Sequence, residues 1–142
     1  MIRNLQESDT GRVAGIWLDT NIKAHSFISP SYWEDHFKEV KEMLLQAEVY
    51  VYENGEKEVA GFVGLEDDYI AGIFVWSEAQ SRGIGKQLLD FVKGIKKQLS
   101  LHVYQKNARA IRFYQREGFH IQNENVERDT GEKEYRMVWE NS

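Results

Sequence analysis

The chain has 142 residues with 42% hydrophobic, 13% aromatic and 29% charged side chains. That is the size of one domain, able to bury about 68–70% of the surface its unfolded chain exposes, and it excludes the disordered and fibrous classes. Cys 0 excludes a disulfide framework, a thiol nucleophile and a cysteine-ligated metal, and the net charge of −5 argues against general nucleic-acid binding. No apolar run approaches the ~20 residues of a bilayer span, and Met1-Ile2-Arg3-Asn4 does not lead into a signal peptide. A cytoplasmic protein without a membrane partner is expected, with residues 1–142 forming a single domain.

Met1 to Leu5 reads as a short strand, after which Ser8 or Asp9 caps a helix carrying Val13, Ile16 and Trp17 at helical spacing to about Lys23. A loop, His25-Ser26-Phe27-Ile28, precedes Ser29-Pro30, an N-cap and first helical residue for a second helix through about Gln46. Trp33, Phe37, Val40 and Leu44 form its buried stripe. Glu48 to Glu53 alternates as a strand, Asn54-Gly55 predicts a hairpin turn, and Val59 to Leu65 is the partner strand. Asp67-Asp68 turns the chain into a third strand, Tyr69 to Val75. Ile84, Leu88, Val92, Ile95 and Leu99 then mark one face of a helix of about four turns, followed directly by a strand from Leu101 to Tyr104. The order strand, helix, strand predicts a right-handed parallel crossover. Asn107 caps a short helix with Ala110, Ile111 and Tyr114, ended by Gly118, and Phe119–Asn125 and Glu134–Trp139 close the chain as a hairpin around Asp129-Thr130-Gly131. No repeat, low-complexity tract or linker interrupts the chain.

The most informative stretch is Ile73 to Leu89, where an apolar strand passes through Gln80-Ser81-Arg82-Gly83-Ile84-Gly85 into a helix. A helix N-terminus presents unpaired N–H groups and the positive end of the macrodipole, so a glycine-lined approach favours an anion such as phosphate. A P-loop would need glycine at Gln80 and Ser or Thr at Gln87, and a dinucleotide fingerprint would need a small residue at Leu88, so both nucleotide motifs fail on named residues. Charge supports an anion site here. Arg82 to Arg116 holds nine Lys/Arg against Asp90 alone, a local balance of +8, which leaves −13 for the rest of the chain.

Ile73-Phe74-Val75 followed by Gln80-Ser81-Arg82-Gly83-Ile84-Gly85 resembles the acetyl-CoA signature of the GNAT N-acetyltransferases, Gln/Arg-x-x-Gly-x-Gly/Ala after an apolar strand. Asn107-Ala108-Arg109-Ala110-Ile111-Arg112-Phe113-Tyr114-Gln115-Arg116-Glu117-Gly118-Phe119 resembles the family's second signature, Asn…Ala…Phe-Tyr…Gly-Phe. The likeness runs the whole length and is nearest to the small bacterial branch labelled YiaC-like, then to the YjaB-like branch, associated with acetylation of protein amines. It implies an α/β (α+β) fold, a mixed, mostly antiparallel twisted sheet of about six to seven strands flanked by about four helices. It also implies an enzyme that moves an acetyl group from acetyl-CoA directly to a primary amine in a ternary complex. Backbone N–H groups from Gln80 through Lys86 (Gln80, Ser81, Arg82, Gly83, Ile84, Gly85, Lys86) would grip the cofactor pyrophosphate. The strand ending at Val75 would pair with the pantetheine arm as an added strand, with Phe74 and Val75 at the acyl end. Asn107 and Ala110 would meet the cofactor arm, and Tyr114 would be the general acid to the departing thiolate. His25, Phe27, Ile28 and Tyr32 would shape the acceptor groove.

The acceptor poses the harder requirement. A lysine with pKa ≈ 10.4 is neutral in only about 1 part in 2,500 at pH 7, a deficit of roughly 4.6 kcal/mol. The glutamate some relatives carry on the strand before the glycine turn falls here on Tyr69, leaving Glu66, Asp67, Asp68, His25 or water as the base. The histidines have no metal-ligand spacing, so no metal is expected. The acceptor is a protein lysine or N-terminal amine, with a small-molecule amine, or an idle acyl-CoA-binding regulator, as alternatives. Monomer and homodimer are both open.

Overall fold

The computed structural model describes residues 1–141. Seven strands, β1 (Ile2–Asn4), β2 (Glu48–Glu53), β3 (Val59–Glu66), β4 (Tyr69–Val75), β5 (Gln98–Tyr104), β6 (His120–Val126) and β7 (Lys133–Glu140), form one sheet in the order β1-β2-β3-β4-β5-β7-β6. Every neighbouring pair is antiparallel except β4 and β5. The α-helices of the described residues are α1 (Thr10–Ala24), α2 (Pro30–Leu44), α3 (Ile84–Ile95) and α4 (Ala108–Arg116). The mixed, mostly antiparallel sheet flanked by helices is the architecture that the resemblance implies, and the parallel β4/β5 pair is the crossover expected from the order strand, helix, strand.

Alternation along the strands supplies two cores. On one face, Val63 and Leu65 of β3, Ile70 of β4 and Leu99, Leu101 and Val103 of β5 pack with Leu88, Leu89 and Val92 of α3 and with Tyr114 and Phe119. On the other, Val49, Val51, Val59 and Phe62 pack with Val13, Ala14 and Ile16 of α1 and Leu44 of α2. Full burial of residues such as Leu88, Leu89 and Val92 contributes roughly 1.5–3 kcal/mol each.

Several boundaries differ from expectation for physical reasons. α3 stops at Ile95, which is 49% exposed, and Leu99 sits in β5, 2% exposed. Leu99 stands four residues from Ile95 and two from Leu101, so it satisfies both the helical and the strand period. Pairing of Ser100 with Tyr69 requires the strand. Asp9 does not cap α1 with its side chain, because that carboxylate accepts from Arg3 Nη1 at 2.8 Å, Arg3 Nη2 at 3.1 Å and the Gln6 N–H at 2.8 Å, tying β1 to the helix start. α2 ends at Leu44, short of Gln46. In the β2–β3 hairpin the left-handed residue is Lys57 (φ 61°) rather than Gly55, because Asn54 Oδ1 accepts from the N–H groups of Glu56 and Glu58 and builds a longer loop.

Two irregularities shape the centre of the sheet. β3 and β4 pair Gly64 with Gly72 and Leu65 with Ile70, so Ala71 is an extra, unpaired residue and β4 bends there. β4 and β5 then pair only at Tyr69 and Ser100. Beyond that point the two parallel strands diverge, and the sheet is split between the carboxyl ends of β4 and β5, where α/β sheets place ligands.

Candidate active site

A cavity of about 820 Å³ occupies this split, walled by Ile73 and Val75 of β4, the turn after it, the first turn of α3, one face of α4, and Thr20, Lys23 and Ala24 of α1. The turn is built by its own side chains. A one-turn 3-10 helix (Ser77–Ala79) leads to Gln80, whose Nε2 donates to the Val75 carbonyl at 3.1 Å. Ser81 (φ 66°) and Gly83 (φ 79°) are both left-handed, a conformation that reverses the chain onto the axis of α3. Arg109 of α4 donates to Gln80 Oε1 at 3.3 Å and Ser81 Oγ at 3.5 Å, bracing the turn from the opposite wall.

The first intrahelical bond of α3 runs from the Gln87 N–H to the Gly83 carbonyl, so the N–H groups of Ile84, Gly85 and Lys86 face the cavity mouth without intrahelical acceptors. A Cβ at Gly85 would meet only ordinary contacts, Phe113 Cζ at 3.7 Å and Val75 Cγ2 at 3.8 Å. Glycine inside a helix costs up to about 1 kcal/mol relative to alanine, and packing does not require it here. Its use is to leave the approach to the amides bare. Arg109, Arg112 and Arg116 form no ion pair among the described residues and line the same mouth, whereas Lys86 is held by Asp90 at 3.2 Å and Glu117 at 3.0 Å. The donor set fits a pyrophosphate.

Of the residues expected to meet the cofactor, Val75, Gln80, Ser81, Gly83, Ile84, Gly85, Lys86, Asn107 and Ala110 line the cavity, as does Tyr114. Phe74 and Arg82 do not. Phe74 points to the opposite face, its ring 5.0 Å from Phe62 and lying over Gly72, while Ile73 and Val75 form the wall. Arg82 is exposed between the two left-handed residues. Sequence reasoning missed Thr20, Lys23, Ala24, Ile73, Ser77, Arg109, Arg112, Phe113, Arg116 and Glu117. The α4 arginines carried a signal, since 109, 112 and 116 recur at helical spacing on the face that bears no core residue. Lys23 carried none, because its bond to Ser77 Oγ at 3.0 Å joins parts of the chain 54 residues apart.

Asn107 caps α4, its Oδ1 accepting from the Ala110 N–H at 3.2 Å, while its Nδ2 donates to His25 Nε2 at 3.2 Å. Tyr114 is 8% exposed, packed between Phe113 and Phe119. Burial pushes its phenol well above the usual range, and neighbouring Tyr69 pushes it further. It holds its proton at neutral pH.

His25, Phe27, Ile28 and Tyr32 do not line this cavity. They gather beside it around Trp33 and Tyr104, with His25 and Phe27 rings 4.9 and 5.6 Å from Tyr104. Tyr104 donates to Glu127 at 2.7 Å, and Glu127 and Asp129 raise the Tyr32 phenol after burial does, so the cluster has an acidic rim. Burial lowers His25 to about 4. With Nε2 accepting from Asn107, the neutral ring has no lone pair to spare. Glu66, Asp67 and Asp68 lie at the β3–β4 turn, and Asp68 accepts from Gln98 at 2.7 Å. Among the described residues no cluster of His, Cys, Asp or Glu fits a metal, and no helix is long and apolar enough to cross a membrane.

A family model described as "Acetyltransferase (GNAT) domain" matches residues 46–121. The chain is 41% identical over 123 residues to the peptidyl-lysine N-acetyltransferase YiaC of Escherichia coli K12, covering 85% of this chain and 84% of that one. Its fold matches the solution structure of apo YjaB from Escherichia coli with a TM-score of 0.88 at 20% identity, covering 100% and 98% of the two chains. It matches a PaiA N-acetyltransferase from Thermoplasma acidophilum in complex with coenzyme A with a TM-score of 0.84 at 19% identity, over 99% and 98%. A family domain spanning more than half the chain and a relative this similar across most of both lengths agree with the split sheet and its glycine turn: the chain belongs to the GNAT acetyltransferases.

Proposed function

We propose that this protein transfers the acetyl group of acetyl-CoA to the side-chain amine of lysine in a protein or peptide, as a single domain over residues 1–142 working in the cytoplasm. The observation that carries the reading is the cavity at the β4/β5 split, with unpaired amides and arginines at one end and a buried, protonated phenol in its wall. The coenzyme supplies an acetyl thioester, an acyl group already activated toward an amine. The amides of Ile84, Gly85 and Lys86, with Arg109, Arg112 and Arg116, hold the pyrophosphate end. Gln80 and Ser81 keep the turn in shape, Ile73 and Val75 flank the pantetheine arm, and Asn107 and Ala110 face it from α4. Tyr114 Oη acts as general acid to the departing sulfur; because a thiolate with a thiol pKa near 8.5 is a weaker base than the Tyr114 phenolate, its main contribution is a hydrogen bond to the charge developing on sulfur.

Lysine as acceptor is supported by the name of the 41% identical relative and by the acidic rim of Glu127 and Asp129 beside the aromatic cluster of His25, Phe27, Ile28 and Tyr32. An apolar wall holds the lysine stem while carboxylates favour its charged end. Release of CoA should be followed with a lysine-peptide panel against a panel of polyamines and aminoglycosides. Transfer confined to the second panel would replace the peptide reading by a small-molecule one, and binding of acetyl-CoA without turnover on either would make the protein a regulator. Tyr114→Phe should lower kcat by on the order of 100-fold with the KM for acetyl-CoA little changed. Full activity in that variant would remove the acid assignment.

A further inference from the structure

The lysine that enters this site carries a proton that must leave before its nitrogen can attack, and none of the side chains named from the sequence is placed to take it. His25 has its lone pair committed to Asn107. Glu66, Asp67 and Asp68 belong to the turn that starts β4. A different pair stands at the apex of the split. Tyr69 and Ser100 are the last residues at which β4 and β5 pair, and the Tyr69 hydroxyl lies 2.8 Å from His102 Nδ1 with the rings 5.5 Å apart. A phenol is the better donor and a neutral imidazole the better acceptor, so the Tyr69 O–H donates to Nδ1.

We propose that Tyr69 and His102 form the proton acceptor for the incoming lysine ammonium, with Tyr69 touching the amine and His102 acting through it. The placement has three parts. Ser100, His102 and Tyr104 share one face of β5 by alternation, so the pair looks toward the face where Tyr104 meets His25 and Phe27. Tyr69 stands where β4 and β5 part, and the gap that opens there is the one whose far end holds the cavity walled by Tyr114, although neither Tyr69 nor His102 lines the cavity itself. His102 is exposed and can pass a proton on to water.

The step balances as a relay. An N–H bond of the ammonium breaks and its proton bonds to Tyr69 Oη, while the Tyr69 O–H bond breaks and that proton bonds to His102 Nδ1. Neutral amine, neutral phenol and imidazolium result, and the imidazolium then loses its proton to solvent. The phenolate is never a free species, which matters because burial and Glu134 hold the Tyr69 phenol above its ordinary range. The charged groups around the pair are Glu134 and Arg136 on β7, Glu127 in the β6–β7 loop and Glu66 at the end of β3. Arg136 stands directly opposite His102 on β7, and Glu134 lies diagonal to it on the same face.

This inference rests on the proposed lysine acetyltransfer, and its test separates the two. The wild type, His102→Gln and Tyr69→Phe are assayed at pH 6–10 with a lysine peptide and with the same peptide carrying an aminooxy group, which is neutral at pH 7, in place of the lysine amine. The acetyl-CoA dissociation constant is measured alongside. Expected for both variants is a loss of kcat/KM for the lysine peptide on the order of 100-fold at pH 7, recovering as pH rises. On the aminooxy peptide, whose nitrogen carries no proton to remove before attack, the loss should be much smaller, and acetyl-CoA binding, which neither side chain touches, should stay within about twofold of wild type. An equal loss on both peptides, or an undiminished lysine rate, overturns the relay while leaving acetyltransfer standing. A wild type inactive on every amine overturns the proposed function and the relay with it.

Discussion

At the scale of single residues, burial and partnership of the polar side chains around the site have measurable consequences, and His25 combines both, with Nε2 bonded to Asn107 and Nδ1 buried without a partner among the described residues. Burial lowers its pKa from 6.5 to about 4, so the unfolded chain binds a proton between those values that the folded chain refuses. Its contribution to stability is complete above pH 6.5 and falls as pH drops toward 4. Urea midpoints measured from pH 7.5 to 4.5 should decline through that window, and His25→Gln should flatten the decline. A slope identical in the variant would contradict the burial of this ring. Asp9 acts lower: held below its ordinary value of 3.8 chiefly by Arg3, it contributes stability above that value which is lost as pH falls further. Asn107 joins two roles, helix cap and donor to His25. Asn107→Ala should cost about 1 kcal/mol from the cap alone, a fall in Tm of about 2–4 °C for a chain of this size, with weaker acetyl-CoA binding as a separate readout.

At the scale of elements, two glycines decide how α3 meets the sheet, and they do so in different ways. A Cβ at Gly61 of β3 would stand 2.9 Å from the Phe74 carbonyl oxygen and 3.2 Å from Ile84 Cγ2, so β3, β4 and the first turn of α3 approach one another only because that Cβ is missing. Gly61→Ala forces backbone to move and should cost about 1–3 kcal/mol, with activity lost as the turn shifts. Gly83 has open space around it and needs glycine for its φ of 79° instead. Gly83→Ala should therefore destabilise by only about 1–2 kcal/mol. Comparing the two variants by chemical denaturation and by acetyl-CoA affinity separates steric from conformational demand. Equal behaviour of the pair would show that one of these causes has been misassigned. α4 is the counterpart wall, short and basic, and its arginine brace on Gln80 and Ser81 makes the turn a joint property of two elements.

At the scale of the whole molecule, the sheet is one continuous surface that divides between β4 and β5, and the cavity's walls come from α1, β4, α3 and α4 together. A ligand seated there bridges both sides of the split, so binding and stability are linked. Acetyl-CoA at 100 times its dissociation constant should add about 2.7 kcal/mol, raising Tm by roughly 5–10 °C. The affinity should weaken with salt, because nine of the chain's 18 Lys and Arg fall from Arg82 to Arg116 with Asp90 as the one acid among them. A melt that acetyl-CoA leaves unmoved would count against the cavity as the coenzyme site.

Sequence alone determined what depends on local chemistry. β2 and β4 begin and end at the predicted residues, because two-residue alternation and the turns at Asn54 and Asp67 are local facts. Asn107 caps its helix and Gly118 ends it in the left-handed region for the same reason. The glycine turn and the Asn107 to Phe119 segment pointed to a GNAT acetyltransferase because phosphate-binding amides and their approach are encoded in contiguous residues. What tertiary structure decided is what joins distant parts of the chain. Leu99 fits a helix face and a strand face equally, and only its place opposite β7 and beside β4 settles it. Phe74 and Val75 read alike as apolar strand residues, yet alternation on a bulged strand sends one to each side of the sheet. Tyr69 and His102, 33 residues apart, meet only because two parallel strands touch at a single pair before they part.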